Sequence, residues 1–139
     1  MSRTTLLDKL RRAAALRRLP EAELESLTDP SRVRELAPGD TLFDEGDAGS
    51  SVFVTVGGSV AIRKQIDDEL TATIALRGEG EWIGEMALLD DAGRSASAVA
   101  ESRLRVLEIQ RGEFLTILGN HPEAALDLLR SISQRLRQS

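Results

Sequence analysis

The stretch G-E-W-I-G-E-M-A-L-L-D-D-A-G-R-S-A-S-A-V-A, Gly80 to Ala100, decides how this chain is read. Gly84-Glu85 stands between apolar residues at the start of a short helical run, Met86 to Leu89. An Asp-Asp-Ala-Gly turn follows, and Arg94-Ser95 opens a segment with the alternation of a strand. A helix start leaves its first N–H groups unpaired and carries partial positive charge, so it attracts anions. Gly84 has no Cβ and lets such an anion approach the backbone closely. Arg94 offers a planar fork of donors that stays ionised and matches two phosphate oxygens. Glu85 would repel a phosphate, so its carboxylate is read as an acceptor for sugar hydroxyls, balanced in part by Arg94. Ser95 and Ser97 can donate to a phosphate or to a base edge. These parts suit a ligand that carries both a phosphate and a sugar hydroxyl. The plainer alternative makes Glu85 and Arg94 a surface ion pair bridging a loop, which would be worth little.

Outward from this stretch the chain has a helix–barrel–helix order. Leu6, Leu7, Leu10, Ala13, Ala14 and Leu16 recur at roughly helical spacing, and the spacing predicts one helix that Pro20 ends. Glu21 to Leu27 follows as a short helical piece. From Val33 the pattern turns to short apolar runs separated by glycine: 33–36, 41–43, 51–56 and 59–62. Gln65 to Glu69 is a polar hairpin tip; strands resume over 71–76, and after the central stretch over 95–100 and 104–109. Arg111 to Leu118 and Pro122 to Gln138 return to helical spacing. So many short strands predict a mainly β fold, an antiparallel jelly roll (double-stranded β-helix) with flanking helices. One domain over 1–139 is expected: N-terminal helices to residue 30, the β-roll over 31–110 and C-terminal helices over 111–139.

Composition narrows the function. The 139 residues carry a net charge of −5, which argues against a domain that holds DNA unaided. Arginines do gather near the ends (Arg11, Arg12, Arg17, Arg18; Arg130, Arg135, Arg137) and are read as solvated helix faces. There is no cysteine, hence no disulfide, thiolate metal site or iron–sulfur cluster held by cysteine. Aromatics make up 3% of residues, so the core must be aliphatic. With no long apolar run and no secretory leader, a cytoplasmic protein is expected. A metal enzyme of the cupin type would need several histidines converging in the barrel; the single histidine, His121, precedes Pro122 between two helices and is read as a turn residue. No serine–histidine–acid or cysteine nucleophile set presents itself either, and Asp90-Asp91 reads as a solvated turn. No enzyme, no metal and no resident cofactor is the expectation.

The segment Ile83-Gly84-Glu85-Met86-Ala87-Leu88-Leu89, with Arg94-Ser95-Ala96-Ser97 after it, resembles the phosphate-binding cassette of cyclic nucleotide-binding domains. These occur in catabolite activator proteins, in regulatory subunits of cAMP-dependent protein kinase and in cyclic nucleotide-gated channels. Gly39-Asp40, Leu42-Phe43, Glu45-Gly46-Asp47 and Val56-Gly57-Gly58-Ser59-Val60 resemble the family's strands and turns, and Phe114 to Ser133 its closing helices.

The resemblance implies a regulatory sensor without chemistry, whose ligand is cAMP or cGMP. Arg94 would hold the cyclic phosphate, helped by the N–H groups of Met86 and Ala87, with Gly84 giving room. Glu85 would accept from the ribose 2′-hydroxyl. Ser95 would reach the phosphate or a guanine amino group, which leaves the choice of nucleotide open. Ile62 and Ile74 are read as apolar contacts to the base, or equally as core. The C-terminal helix would close as a lid and carry the signal to an effector or a second copy. Its stripe of Ala125, Leu128, Leu129, Ile132 and Leu136 is read as core whose end can pair with that copy. Catabolite activators continue into a helix-turn-helix domain; with the sequence ending at Ser139, no direct DNA contact is expected, and Ser139 falls where such activators place a hydroxyl against adenine. The alternative is a degenerate domain of the same fold that binds a protein partner or a cyclic dinucleotide.

Overall fold

The computed structural model describes residues 1–90 and 92–138, the last by its backbone alone. Asp91 of the acidic turn and the Ser139 hydroxyl lie outside the described residues. Eight strands form two antiparallel four-stranded sheets. In the first, β1 (Val33–Leu36), β8 (Leu104–Gln110), β3 (Ser51–Gly57) and β6 (Trp82–Ile83) lie in that order. In the second the order is β2 (Thr41–Phe43), β7 (Ser97–Ala100), β4 (Val60–Gln65) and β5 (Thr71–Arg77). The jelly roll expected from the strand spacing is the observed fold. Strand β6 was not foreseen: two residues are too few for an alternation to register.

Strand β3 shows why the roll needs its helices. Val52, Val54 and Val56 face outward from the roll yet are buried, because helices cover them. Phe53 points the other way, into a core between the sheets with Leu42, Val60, Ile83, Leu104 and Val106. The outer layer consists of α1 (Arg3–Arg12), α2 (Glu21–Ser26), α4 (Arg111–Asn120) and α5 (Pro122–Gln138). Leu6, Leu10, Leu16, Leu27 and Phe114 fill it without measurable exposure beyond 1%. Burial on both faces gives β3 a continuous apolar run rather than a half-polar alternation.

Helix α1 ends sooner than its spacing suggested. Ala13 is already extended (φ −71°, ψ 123°), and the Ala15 N–H donates to Gly80 O at 2.9 Å instead of continuing the helix. That contact fixes the turn before the cassette against the N-terminal layer, and Pro20 serves as the N-cap of α2 rather than a terminator of α1. On α5, Leu128 is core, but Leu129 and Leu136 are 61% and 69% exposed, so the stripe is not core throughout. The Asp127 carboxylate on α5 meets Arg17 Nε at 3.2 Å and Arg18 Nε at 3.5 Å; these largely exposed arginines thus also tie the N-terminal layer to α5. Among the described residues no helix is long and apolar enough to cross a membrane.

Phe114 touches the Trp82 ring edge-on at 5.2 Å between centroids and is wholly buried. Phe114→Ala should lower unfolding stability by about 3–5 kcal/mol, the usual cost of deleting a buried aromatic. Urea unfolding followed by circular dichroism measures it.

Candidate functional site

Gly84 turns the chain from β6 into α3 (Glu85–Leu89) with φ +81°, a left-handed conformation that favours glycine. No side chain caps this helix start. A Cβ on Gly84 would lie 2.4 Å from Arg94 Nη1 and 3.2 Å from the Phe43 ring. Glycine is thus required twice over, by the backbone angle and by the guanidinium packed against it.

Arg94 is 6% exposed. Its Nη1 donates to Gly84 O at 2.8 Å and its Nη2 to Ser51 O at 2.6 Å, while Nε is buried without a partner. The guanidinium carbon lies 4.2 Å from the centroid of Phe43, which stacks on Phe53. Loop bonds hold the main chain as well: Arg94 N–H to Asp47 O at 2.7 Å and Gly46 N–H to Arg94 O at 2.8 Å. Burial pushes the guanidinium's pKa below its ordinary value, while Asp47, Glu85 and Glu108 pull it back. Arginine stays ionised regardless. Among the described residues no carboxylate bonds it, and its direct partners are two backbone carbonyls and the Phe43 ring face.

Glu85 is 3% exposed and is bonded by Arg135, from α5. The surface ion pair considered from spacing is therefore absent: Glu85 and Arg94 are both buried and each has different partners. Arg135 Nη2 also reaches Trp82 O at 3.4 Å. Arg135 is a site residue that sequence reasoning placed on a solvated face. Fifty positions separate it from Glu85, and its only local signal was a basic residue one turn beyond Ile132 on the apolar stripe.

These groups border one cavity of about 320 Å³. Eight of the nine expected site residues line it: Ile62, Ile74, Gly84, Glu85, Met86, Ala87, Arg94 and Ser95. Ser97 does not; its hydroxyl accepts from the Glu45 N–H at 2.9 Å and braces the loop behind the cassette. Lys64, Arg77, Ile132 and Leu136, none of them expected, also line the cavity. Lys64 donates to Ser95 O at 2.7 Å and lies 3.3 Å from the Glu45 carboxylate. Ile74 reaches the cavity through a bulge: Ile62 pairs with Ala75 and Arg63 with Thr73, so Ile74 is the extra residue of β5. Chemically the cavity offers a desolvated cation beside an uncapped helix start, a buried carboxylate and aliphatic walls. Among the described residues no group of three or more His, Cys, Asp or Glu is placed to hold a metal ion. His121 sits at the α4–α5 junction, 3.3 Å from Glu23.

Known proteins place this geometry in a family. Residues 33–121 match the family model described as cyclic nucleotide-binding domain, and the chain belongs to that family. It is 36% identical over 107 residues to the cyclic AMP receptor protein of Thermus thermophilus, covering 76% of this chain and 50% of that one. The crystal structure of Thermus thermophilus catabolite activator protein superposes with a TM-score of 0.77 at 31% identity, covering 90% of this chain and 59% of that one. The regulatory subunit of a cAMP-independent protein kinase A from Trypanosoma brucei gives 0.80 at 25% identity, covering 95% and 47%. The chain thus spans roughly half the length of these relatives.

Gly39 supplies a control for the glycine argument, since its φ is +89° but a Cβ there meets nothing within 4 Å. Gly39→Ala pays the backbone strain alone, about 1–3 kcal/mol. Gly84→Ala should cost clearly more in urea unfolding, because the guanidinium must also move; equal costs would show that Arg94 yields freely.

Proposed function

We propose that this domain is a non-catalytic sensor of a cyclic mononucleotide, with the cyclic phosphate held by Arg94 and the N–H groups of Met86 and Ala87. Glu85 accepts from the ribose 2′-hydroxyl, and Ile62 and Ile74 flank the base. The observation that carries this reading is the Arg94 guanidinium, buried at the uncapped start of α3 and, among the described residues, bonded by no carboxylate. A desolvated cation of that kind stabilises an anion strongly and would be costly to keep with nothing to bind. The family supports the ligand class, and the Thermus thermophilus relative is named for cyclic AMP.

Signalling follows from Glu85 and Arg135. A ribose hydroxyl donating to Glu85 holds the carboxylate where Arg135 clasps it, so the nucleotide binds the form with α5 docked better than the form with α5 away. That difference in affinity is what moves the helix. An effector, or a second copy of the chain, reads the position of α5 through its exposed apolar residues, Leu129 and Leu136 among them. A cytosolic regulatory role without direct DNA contact is part of this reading.

Trp82 lines the cavity and lies against Phe114, and its fluorescence reports on the site. Titration with cAMP and with cGMP should give saturable changes, and calorimetry the affinities. Arg94→Ala should weaken binding by about 2–5 kcal/mol, and Glu85→Ala by about 1–3 kcal/mol. Undiminished affinity in Arg94→Ala would overturn the phosphate assignment. Flat titrations with both nucleotides would favour the degenerate, protein-binding alternative. A spin label on α5 should show a smaller nucleotide-dependent displacement in Arg135→Ala than in the parent.

A further inference from the structure

Gly49 lies in the loop of residues 44–50 that joins β2 to β3. A Cβ built on it would come 2.7 Å from the Cβ of Ala87, a separation two carbon atoms do not hold without movement. The same carbon would lie 3.4 Å from Arg94 Cζ and 3.5 Å from Arg94 Nε, which are ordinary contacts. Gly49 has no positive φ, so an alanine there adds no dihedral strain. The whole conflict is with Ala87. Ala87 and Arg94 line the cavity and Gly49 does not, so the loop meets both from outside it.

Which side gives way follows from how each is held. The loop is fastened on both sides of Gly49: Asp47 O accepts from the Arg94 N–H at 2.7 Å, and Ser50 O from the Arg111 N–H at 3.0 Å. Further back, the Glu45 N–H donates to Ser97 Oγ at 2.9 Å, and the Gln65 N–H to the Glu45 carboxylate at 3.0 Å. Helix α3 has five residues and no side-chain cap, and it leaves Met86 42% and Leu89 41% exposed. The short helix is the part that shifts. To reach an ordinary carbon–carbon separation the pair must part by roughly 1 Å. A donor moved that far leaves the narrow distance range in which it can bond.

Resting on the proposed function, we infer that Gly49 is a positioning residue for phosphate binding. Between loop and helix there is room for one methyl group, and Ala87 supplies it. The bare loop lets α3 sit back far enough to set the Ala87 N–H against the cyclic phosphate. Gly84 makes the turn into the helix, and Gly49 sets how deep the start of the helix lies.

Calorimetry tests this on the parent, Gly49→Ala, Ala87→Gly and the double variant, with whichever of cAMP and cGMP the parent binds more tightly. Gly49→Ala should bind roughly ten-fold or more weakly, the scale of one hydrogen bond to a charged group. Ala87→Gly keeps the N–H and removes the facing methyl. The double variant should therefore bind within about three-fold of Ala87→Gly alone, a non-additivity that sites without contact do not show. In amide NMR spectra the nucleotide should shift the resonances of positions 86 and 87 less in Gly49→Ala than in the parent, and the double variant should regain the shift. If Gly49→Ala fails to fold, adding Ala87→Gly should restore folding, read by circular dichroism. Undiminished affinity in Gly49→Ala, a loss that persists in the double variant, or a double variant that stays unfolded would overturn the inference and leave the proposed function standing. A parent that binds neither nucleotide would overturn both.

Discussion

A charge taken out of water and bonded, among the described residues, by no carboxylate organises the centre of this domain. Arg94 is paid for by two backbone carbonyls and the face of Phe43, and each of these fixes a different part of the chain. Gly84 O belongs to the turn into α3, Ser51 O to the start of β3, and Phe43 to β2 of the opposite sheet. The guanidinium therefore pins both sheets and the helix start at one point. A buried cation bonded to dipoles keeps an attraction for an anion that a directly bonded carboxylate would have taken up. The residue that fastens the cassette is thus the one that the proposed function sets against the phosphate.

The roll itself does not dictate a ligand. Its two cores are aliphatic and would serve any domain of this shape, with Val52, Val54 and Val56 under the helices and Phe53 and Val106 between the sheets. What gives the cavity its chemistry is a handful of polar side chains placed by exceptions to regular structure. Gly84 has a left-handed backbone, Ile74 is the extra residue of a bulge, and α3 is a helix barely longer than one turn. Regular strands supply the walls, and the irregular positions supply the contacts.

The parts of the site legible in the sequence were those whose meaning is local. Gly84, Glu85 and Arg94 lie within eleven residues, and each carries its chemistry in its own type and neighbours. The strand spacing likewise gave the roll, since alternation and glycine turns are short-range properties. Legibility ended where a contact crossed the fold. Glu85 was matched to Arg94 because the two are close in sequence, whereas its partner is Arg135 on the last helix. Ser97 was grouped with Ser95 by proximity, yet its hydroxyl holds the Glu45 loop. Arg77 carried no signal at all, because a single arginine at a strand end reads as a solvated terminus until the cavity beside it is seen. The end of α1 was misjudged for a similar reason: apolar residues continue at helical spacing, but the Gly80 carbonyl competes for the next N–H.

Helix α5 is fastened at two places that differ in kind. Near its beginning Asp127, 13% exposed, meets Arg17 and Arg18 at 59% and 52%, while near its end Arg135 at 25% meets Glu85 at 4%. Dissolved ions screen the first attachment more than the second. Ionic strength acts more on the attachment at Asp127, while the one at Arg135 borders the cavity. The two ends of α5 thus answer unequally to the medium in which the domain works.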